Sequence, residues 1–456
     1  VYKRQALYVA GFVALVSDGI GFMTLMIIEI PVIQELALTA SVGVAVLIFT
    51  NLLLMPVLLS YTGLTQASMN FIKRRQEKPR RLWPKVVKFA APPFAPVTVI
   101  IGIALFAVGF VGGRDLRIGD LDPGAPELRP DSRYNLDNAF LTENYSTSTD
   151  VFVTMVETLP QACGDYQTIA AIDRFQSEML NTPGVQSVIS LVNVAKRVTM
   201  AMNEGNPKWH TVSRNQYVLN NSLQHVPSSL INTDCSMVPV LIFLNDHKAD
   251  TLKGVVADVE AFAAEYNTEE IQFVLAAGNS GIESATNIVV SKAQYQMLLL
   301  VYGVVGFLVF LTFRSWRAVV CIIVPLALTS VLAQALMAQL GIGVKVATLP
   351  VIALGVGIGV DYGIYIYSKM DTYLQRGLAV YEAYGKTLQT TGMAVGFTGI
   401  TLAIGVGTWI FSPIKFQADM GLMLTFMFLW NMLGALTFLP ALAHYLVKPT
   451  VQEEAA

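Results

Sequence analysis

Long apolar runs, separated by short polar breaks, make up most of this chain, and one long polar stretch interrupts them. The first two runs cover about 6–28 and 36–61. A third covers 93–111, and five more follow closely at 295–313, 318–340, 346–367, 390–411 and 419–447. Each is long enough to cross a bilayer as a helix, which takes about 20 apolar residues. Between the third and fourth runs the period changes. Residues 150–156, 185–191, 238–244 and 271–276 have strand character, while 168–180 and 250–266 carry apolar residues at helical spacing, as at Ile169, Ile172, Phe175 and Met179. Two βαβ-like units in this order suggest ferredoxin-like subdomains. The polar residues 203–231 fit neither period. Met200, Met202 and Trp209 there suit local packing, with the lining of a hydrophobic passage as the alternative. The predicted fold class is a polytopic α-helical membrane protein with eight spans in this chain and an α+β ferredoxin-like domain.

The runs divide the chain into 1–61 (two helices), 62–92 (a basic linker), 93–113 (one helix), 114–291 (the α+β domain), 292–447 (a five-helix bundle) and 448–456 (a tail). Charge sets the orientation. Lys73, Arg74, Arg75, Lys78, Arg80, Arg81, Lys85 and Lys88 cluster in one loop, which the positive-inside rule places in the cytoplasm. Arg314, Arg317, Lys369, Arg376, Lys386 and Lys448 then fall on the same side, against Lys345 and Lys415 on the other. Domain 114–291 becomes extracytoplasmic, and periplasmic at the inner membrane of a Gram-negative cell. A net charge of -2 gives no bulk attraction to nucleic acid. The chain opens Val1-Tyr2-Lys3-Arg4-Gln5 and enters an apolar run at once, without the pattern of a cleavable signal peptide.

The apolar run 346–367 holds the main candidate chemistry. Asp361 lies well inside it, and a lone carboxylate at mid-membrane costs about 2.5–3.5 kcal/mol on insertion scales. Burial disfavours the charged form, so the group is suited to taking up and releasing a proton. Gly355, Gly359 and Gly363 form a small-residue ridge that lets another helix approach. Tyr362, next in sequence, is a relay hydroxyl or an interfacial anchor. Tyr365, one turn on, faces the same side as Asp361. Thr398 and Thr401 on the next span are candidate partners for the carboxyl, and a bond to either one is the purely structural reading of Asp361. Asp18 lies in the middle of the first run, where its bland reading is a solvated residue. Glu35 and Asp419 stand at the outer starts of their spans, as proton entry groups or as plain interfacial charges. Asn431 is expected to be interhelical glue.

Little else carries chemistry. Cys163 and Cys235 both fall in the α+β domain and can pair in an oxidising compartment, with two buried free thiols as the alternative; Cys321 lies in a span. His210, His225, His247 and His444 are scattered and taken as ordinary polar positions. No His/Cys spacing suits a metal, and there is neither a Gly-x-Ser-x-Gly elbow nor a phosphate loop, so neither an enzyme nor a bound cofactor is expected.

The chain also contains a weak repeat. Pro56-Val57-Leu58-Leu59-Ser60-Tyr61 resembles Pro440-Ala441-Leu442-Ala443-His444-Tyr445. At nearly the same offset Glu35 falls on Asp419, Gly11-Phe12 on Gly396-Phe397, and Gly19-x-Gly21 on Gly405-x-Gly407. The first two runs thus look like the end of an earlier copy of the unit that closes the chain, a common transporter plan. A complete duplication would have twelve spans and two α+β domains, which makes this chain the C-terminal part.

With this plan, the run Gly355-Val356-Gly357-Ile358-Gly359-Val360-Asp361-Tyr362-Gly363 and the repeat together, the chain resembles the resistance-nodulation-division superfamily, and within it the branch of mycobacterial membrane protein large (MMPL) and hopanoid transporters. The resemblance covers essentially the whole chain and is strongest at 355–365, 411–424 and 116–135, which includes Gly119-Asp120-Leu121-Asp122-Pro123-Gly124-Ala125-Pro126-Glu127-Leu128. It implies a proton-driven inner-membrane exporter of hydrophobic or lipid-like molecules, with protons as the coupling ion and 114–291 as a porter-type domain. It also implies an Asp–Tyr relay, which Asp361 and Tyr362 match, and an approach of the last helices of one half to the central helix of the other, so that Asp18 is expected near Asp361 and the two titrate as a pair. The corresponding first-half pair would lie outside this chain, so the chain alone is not expected to transport. Membrane lipids, further copies of the protein and a periplasmic partner are the partners it suggests. A sterol-sensing-like lipid sensor or scaffold and a protein-export accessory of the SecDF kind share parts of the plan and are the alternatives.

Overall fold

The computed structural model describes residues 2–62 and 83–447, with side chains from Tyr8 onward apart from Ala276. Most of the basic loop (Lys73, Arg74, Arg75, Lys78, Arg80 and Arg81) and the 448–456 tail lie outside the described residues. The chain forms two compact units, Val1–Leu116 with Val290–Ala456, and Arg117–Val289.

The first unit is helical. Among the described residues eight helices are long and apolar enough to cross a membrane: Tyr8–Ile27, Pro31–Tyr61, Phe94–Asp115, Gly278–Phe313 (which begins in the second unit), Trp316–Leu340, Leu349–Leu374, Val380–Phe411 and Lys415–Leu446, called the first to eighth spans below. Helices suit lipid because each backbone group is satisfied within its own segment. The second, fourth, seventh and eighth spans begin before their apolar runs, since polar first turns continue the helices that periodicity alone truncates. The sixth span is the centre of the unit: 78% of its most apolar stretch is buried, against 0% for the second. It packs on the first, fifth and eighth spans.

The repeat is visible in the backbone. The second span widens into a π turn at Thr50–Leu54, and the eighth at Gly434–Phe438, each ending two residues before its proline, Pro56 or Pro440. Proline lacks an N–H and crowds the carbonyl four residues earlier, so a wider turn accommodates it. In the eighth span that carbonyl, Leu436 O, accepts instead from the Tyr384 hydroxyl (2.5 Å).

The second unit carries a four-stranded sheet of β1 (Val151–Thr158), β2 (Val185–Ile189), β3 (Met237–Leu244) and β4 (Ile271–Ala277). Its order is β2-β3-β1-β4, with every neighbouring pair antiparallel. This is the expected ferredoxin-like βαββαβ arrangement, with the two βαβ units interlocked in one sheet: the two strands of each unit are separated by a strand of the other. The helices are α1 (Arg133–Asn144), α2 (Tyr166–Met179), α3 (Leu191–Met202), α4 (Gln216–Leu223) and α5 (Ala249–Tyr266). Residues α2 turns inward, Ile169, Ile172, Phe175 and Met179, share one core with Leu252, Val255, Val259 and Phe262 of α5. Phe175, Phe262 and Phe273 meet at ring distances of 4.9–5.0 Å. Burying each ring contributes about 1.5–3 kcal/mol.

The stretch 203–231 supplies α4 and a short 3-10 turn at Pro207–Trp209. Met202 and Trp209 are exposed on this unit and Met200 is half-buried. Cys163 and Cys235 form a disulfide that ties the turn after β1 to the segment before β3; Cys321 is a buried free thiol.

Candidate functional site

The sixth span presents two different faces. Gly355, Gly359 and Gly363 stand one turn apart and meet the eighth and fifth spans. A methyl group at Gly355 would strike Met427, and one at Gly359 would strike Asn431 and Leu326. At Gly363 it would meet Ile322 Cγ2 at 2.9 Å. Glycine is what allows this approach. Asn431 exploits it, its Nδ2 donating across the helix pair to Gly355 O (2.7 Å).

The other face carries Gly357, Asp361 and Tyr365, again one turn apart, and meets the first span. A Cβ placed on Gly357 would lie 3.6 Å from Asp18 Oδ1, and one on Gly21 would lie 3.8 Å from Gly357 Cα. A Cβ on Gly11 would lie 3.5 Å from the Tyr365 hydroxyl. Gly11, Ala14, Asp18 and Gly21 recur at three- and four-residue spacing, so one narrow stripe of the first span faces the sixth. Asp18 thus sits one helical turn along the sixth span from Asp361.

Polar atoms at this contact are poorly satisfied. Asp18 Oδ1, Asp361 Oδ1, Tyr362 Oη and Ser17 Oγ are all enclosed without a hydrogen-bond partner among the described residues. Such groups are rare and call for an explanation. A cavity of ≈ 10 Å³ opens between Asp18, Gly21, Leu25, Leu354 and Gly357, at the threshold for one water. The arrangement holds two carboxyls and two phenols in an apolar wall. A carboxyl in such a place can bind a proton. Among the described residues no group of three or more His, Cys, Asp or Glu could hold a metal ion.

Other candidates lie elsewhere. Thr398 and Thr401 are exposed, and Thr401 Oγ1 donates within its own helix to Phe397 O (2.8 Å) and Thr398 O (3.1 Å). They do not meet Asp361. The cause is Gly399, which turns toward the eighth span, where a methyl group would meet Met432 Sδ at 2.6 Å; this carries both threonines to the far side. Asp419 pairs with Lys415 (3.4 Å), and Glu35 is exposed. Ser17 and Gly357 were not singled out by the sequence. A serine beside an aspartate carries no signal of its own, whereas Gly357 was legible from its four-residue offset to Asp361.

A second polar cluster lies within the 117–289 unit. His247 is not an ordinary polar position: it is 8% exposed, and its Nδ1 lies 2.8 Å from Asp150 Oδ1. Burial works against its charge, but the hydrogen bond its Nδ1–H donates to Asp150 and the charges of Asp150, Asp120 and Glu283 outweigh it and hold the imidazole above the ordinary value of 6.5.

The model of the MMPL family matches residues 5–96 and 134–453, which include Asp18 and Asp361. Membrane protein MJ1562 of Methanocaldococcus jannaschii is 22% identical over 80% of this chain and 93% of its own length. The sulfolipid-1 exporter MmpL8 of Mycobacterium tuberculosis is 28% identical over 26% of this chain, and the match covers 11% of MmpL8. Among solved structures, the hedgehog release protein Disp from the water bear Hypsibius dujardini superimposes with a TM-score of 0.62 over 97% of this chain at 16% identity. This chain spans 59% of the length of that structure. The match to Disp shows a shared fold. Together with the family match across both runs of spans, it bears out the resemblance drawn from the glycine–aspartate run: the chain belongs to the MMPL family.

Proposed function

We propose that this chain belongs to a proton-driven membrane exporter of hydrophobic or lipid-like molecules, with Asp361 and Asp18 as its proton-binding pair. The observation that carries this reading is the first–sixth span contact, where two carboxyls sit together with oxygens that have no hydrogen-bond partner among the described residues. Intramembrane acids are costly and mark proton or substrate pathways. Two carboxylates in one apolar site cannot both ionise cheaply, so a shared proton is the economical state. Loss or gain of that proton changes the charge at the contact and biases the first span against the sixth. Tyr365, touching Gly11, and Tyr362, buried beside the pair, are the hydroxyls through which the proton moves. The membrane potential adds about 2.3 kcal/mol per charge per 100 mV.

The names of the relatives support the transported class: MmpL8 is a sulfolipid-1 exporter and Disp a hedgehog release protein, which favours transport over catalysis. The 117–289 unit is then the extracytoplasmic porter-type part, at the inner membrane of a bacterial cell. The test is efflux of a fluorescent lipid analogue from proteoliposomes holding the full-length gene product under an imposed pH gradient. Efflux that needs the gradient and is lost in Asp361→Asn, with the variant still folded, supports the reading. Gradient-independent efflux, or full efflux from Asp361→Asn, overturns it.

A further inference from the structure

We propose that the cavity between α1 and the segments 122–130 and 245–248, within the 117–289 unit, binds the hydrocarbon chain of an amphiphile. That this amphiphile is the exported molecule rests on the exporter reading above; the site itself does not. The cavity has a volume of ≈ 370 Å³, within the range of about 300–1,000 Å³ usual for small-molecule sites. Pro123, Leu128, Pro130, Leu136 and Ala139 give it a mostly apolar wall. Several of its polar residues are spent on their own neighbours. Asn135 Oδ1 accepts from Ala125 N–H (2.8 Å), while its Nδ2 donates to Ala125 O (3.2 Å) and Arg129 O (3.0 Å). Asn138 Oδ1 accepts from the Thr149 hydroxyl (2.8 Å). Asp246 accepts from the Thr251 hydroxyl (2.6 Å) and pairs with Lys248 Nζ (3.2 Å). A ligand therefore gains here mainly by burying apolar surface, not by meeting an unpaired charge.

A second observation concerns α1 itself. Asn135, Ala139 and Thr142 line the cavity at the four- and seven-residue spacing that an amphipathic helix turns toward a core. Yet Asn138 is the one buried residue among the twelve of α1. The helix is held at its ends by polar bonds instead. Ser132 Oγ accepts from Asn135 N–H (3.4 Å) at the start. At the finish, Gln186 of β2 donates from Nε2 to Thr142 O and to Tyr145 O (2.6 Å each). Leu136 and Phe140, one turn apart, are left 56% and 59% exposed, and Phe140 meets the Tyr145 ring edge-on at 6.5 Å. An apolar strip thus runs out of the cavity along a helix already fixed in place. Contiguous apolar surface of this kind marks a binding site, and a frame set before the ligand arrives loses less entropy on binding. The cavity takes the end of the chain, and the strip takes the methylenes that follow.

The test is photolabelling of the purified full-length protein in nanodiscs with decanoic acid that carries a diazirine on its chain, with the attachment sites read by mass spectrometry. Label should fall on α1 and on 122–130. Unlabelled competitors should follow chain length, with octanoic, decanoic and dodecanoic acid each about tenfold stronger than the one before. Decanol should compete within about threefold of decanoic acid, because the site reads the chain and not a charge. Ala139→Trp fills the cavity from an exposed position, so its melting temperature should match wild type, while labelling should drop by at least about tenfold. Leu136→Asn, also at an exposed position, should lower labelling too and keeps the result readable if the tryptophan variant fails to fold. Tyr217→Ser removes an exposed ring from α4, away from the cavity, and should leave labelling unchanged. Labelling needs no pH gradient, so a failure of the exporter reading would show in efflux alone. Labelling confined to the spans, competition that ignores chain length, or undiminished labelling of α1 in folded Ala139→Trp overturns the proposal. A further domain packed over α1 would leave that helix unlabelled, which overturns it as well.

Discussion

The two faces of the sixth span differ in how completely they are satisfied. On the face of Gly355, Gly359 and Gly363, side chains of the fifth and eighth spans press against the backbone, and Asn431 adds a hydrogen bond to Gly355 O. On the face of Gly357, Asp361 and Tyr365, a small cavity remains and two carboxyl oxygens have no partner among the described residues. One helix therefore serves as a fixed wall on one side and as a site for chemistry on the other. The lesson is that a glycine-rich membrane helix need not use its glycines for one purpose. Those at four-residue spacing from Gly355 close a contact, while Gly357 leaves room beside an acid.

Breaking the fixed face should have the largest effect on stability. Gly359→Ala drives a methyl group into Asn431 and Leu326, and overpacking of this kind costs about 1–3 kcal/mol. Gly357→Ala meets Asp18 Oδ1 only at 3.6 Å, an ordinary contact, so stability should move by less than about 0.5 kcal/mol while proton flux slows as the cavity fills. Thermal melting in detergent, paired with flux in proteoliposomes, separates the two outcomes. If both variants lose stability equally, the two faces are alike and the contrast fails. Asn431→Leu removes the bond to Gly355 O and should cost about 1 kcal/mol, read by the same melting assay; an unchanged melting point would show that the wall rests on packing alone.

A smaller effect belongs to the 117–289 unit. His247 is held above its ordinary value of 6.5, so the folded state binds its proton more tightly than the unfolded state does. The stability this gives is fully present below pH 6.5 and is lost as pH rises through the higher folded value. Melting of the full chain across that window should fall with pH in wild type and show a flatter profile in His247→Gln. The smallest effect is expected at Thr401, which bonds only within its own helix: Thr401→Ala should leave flux unchanged and stability within about 0.5 kcal/mol. A marked loss of flux there would restore the threonines to the relay.

Much of this was legible in the sequence. The eight spans followed from run length, because lipid permits few alternatives to a helix. Asp361 stood out because a charge in an apolar run is costly. The pairing with Asp18 came from the family resemblance, in whose two-fold arrangement a late helix of one half approaches the central helix of the other. The strands and helices of the 117–289 unit followed from their periods, and their single sheet from the ferredoxin-like reading of the two βαβ units. The threonines misled because a polar residue in an apolar run says nothing of direction; Gly399 decided it by turning its own face to Met432. His247 misled for a related reason. Its partner Asp150 lies 97 residues away, and only the fold brings β1 and the end of β3 together.

The most direct test of the central claim is a two-residue cycle on proton flux. Wild type, Asp18→Asn, Asp361→Asn and the double variant of the full-length gene product would be reconstituted, and the decay of an imposed pH gradient followed. If the carboxyls act as one site, each single substitution should reduce flux by about 100-fold or more, and the double variant should lose no more than either single one. Flux that survives Asp361→Asn, or that falls in Asp361→Asn while Asp18→Asn matches wild type, would contradict the paired site.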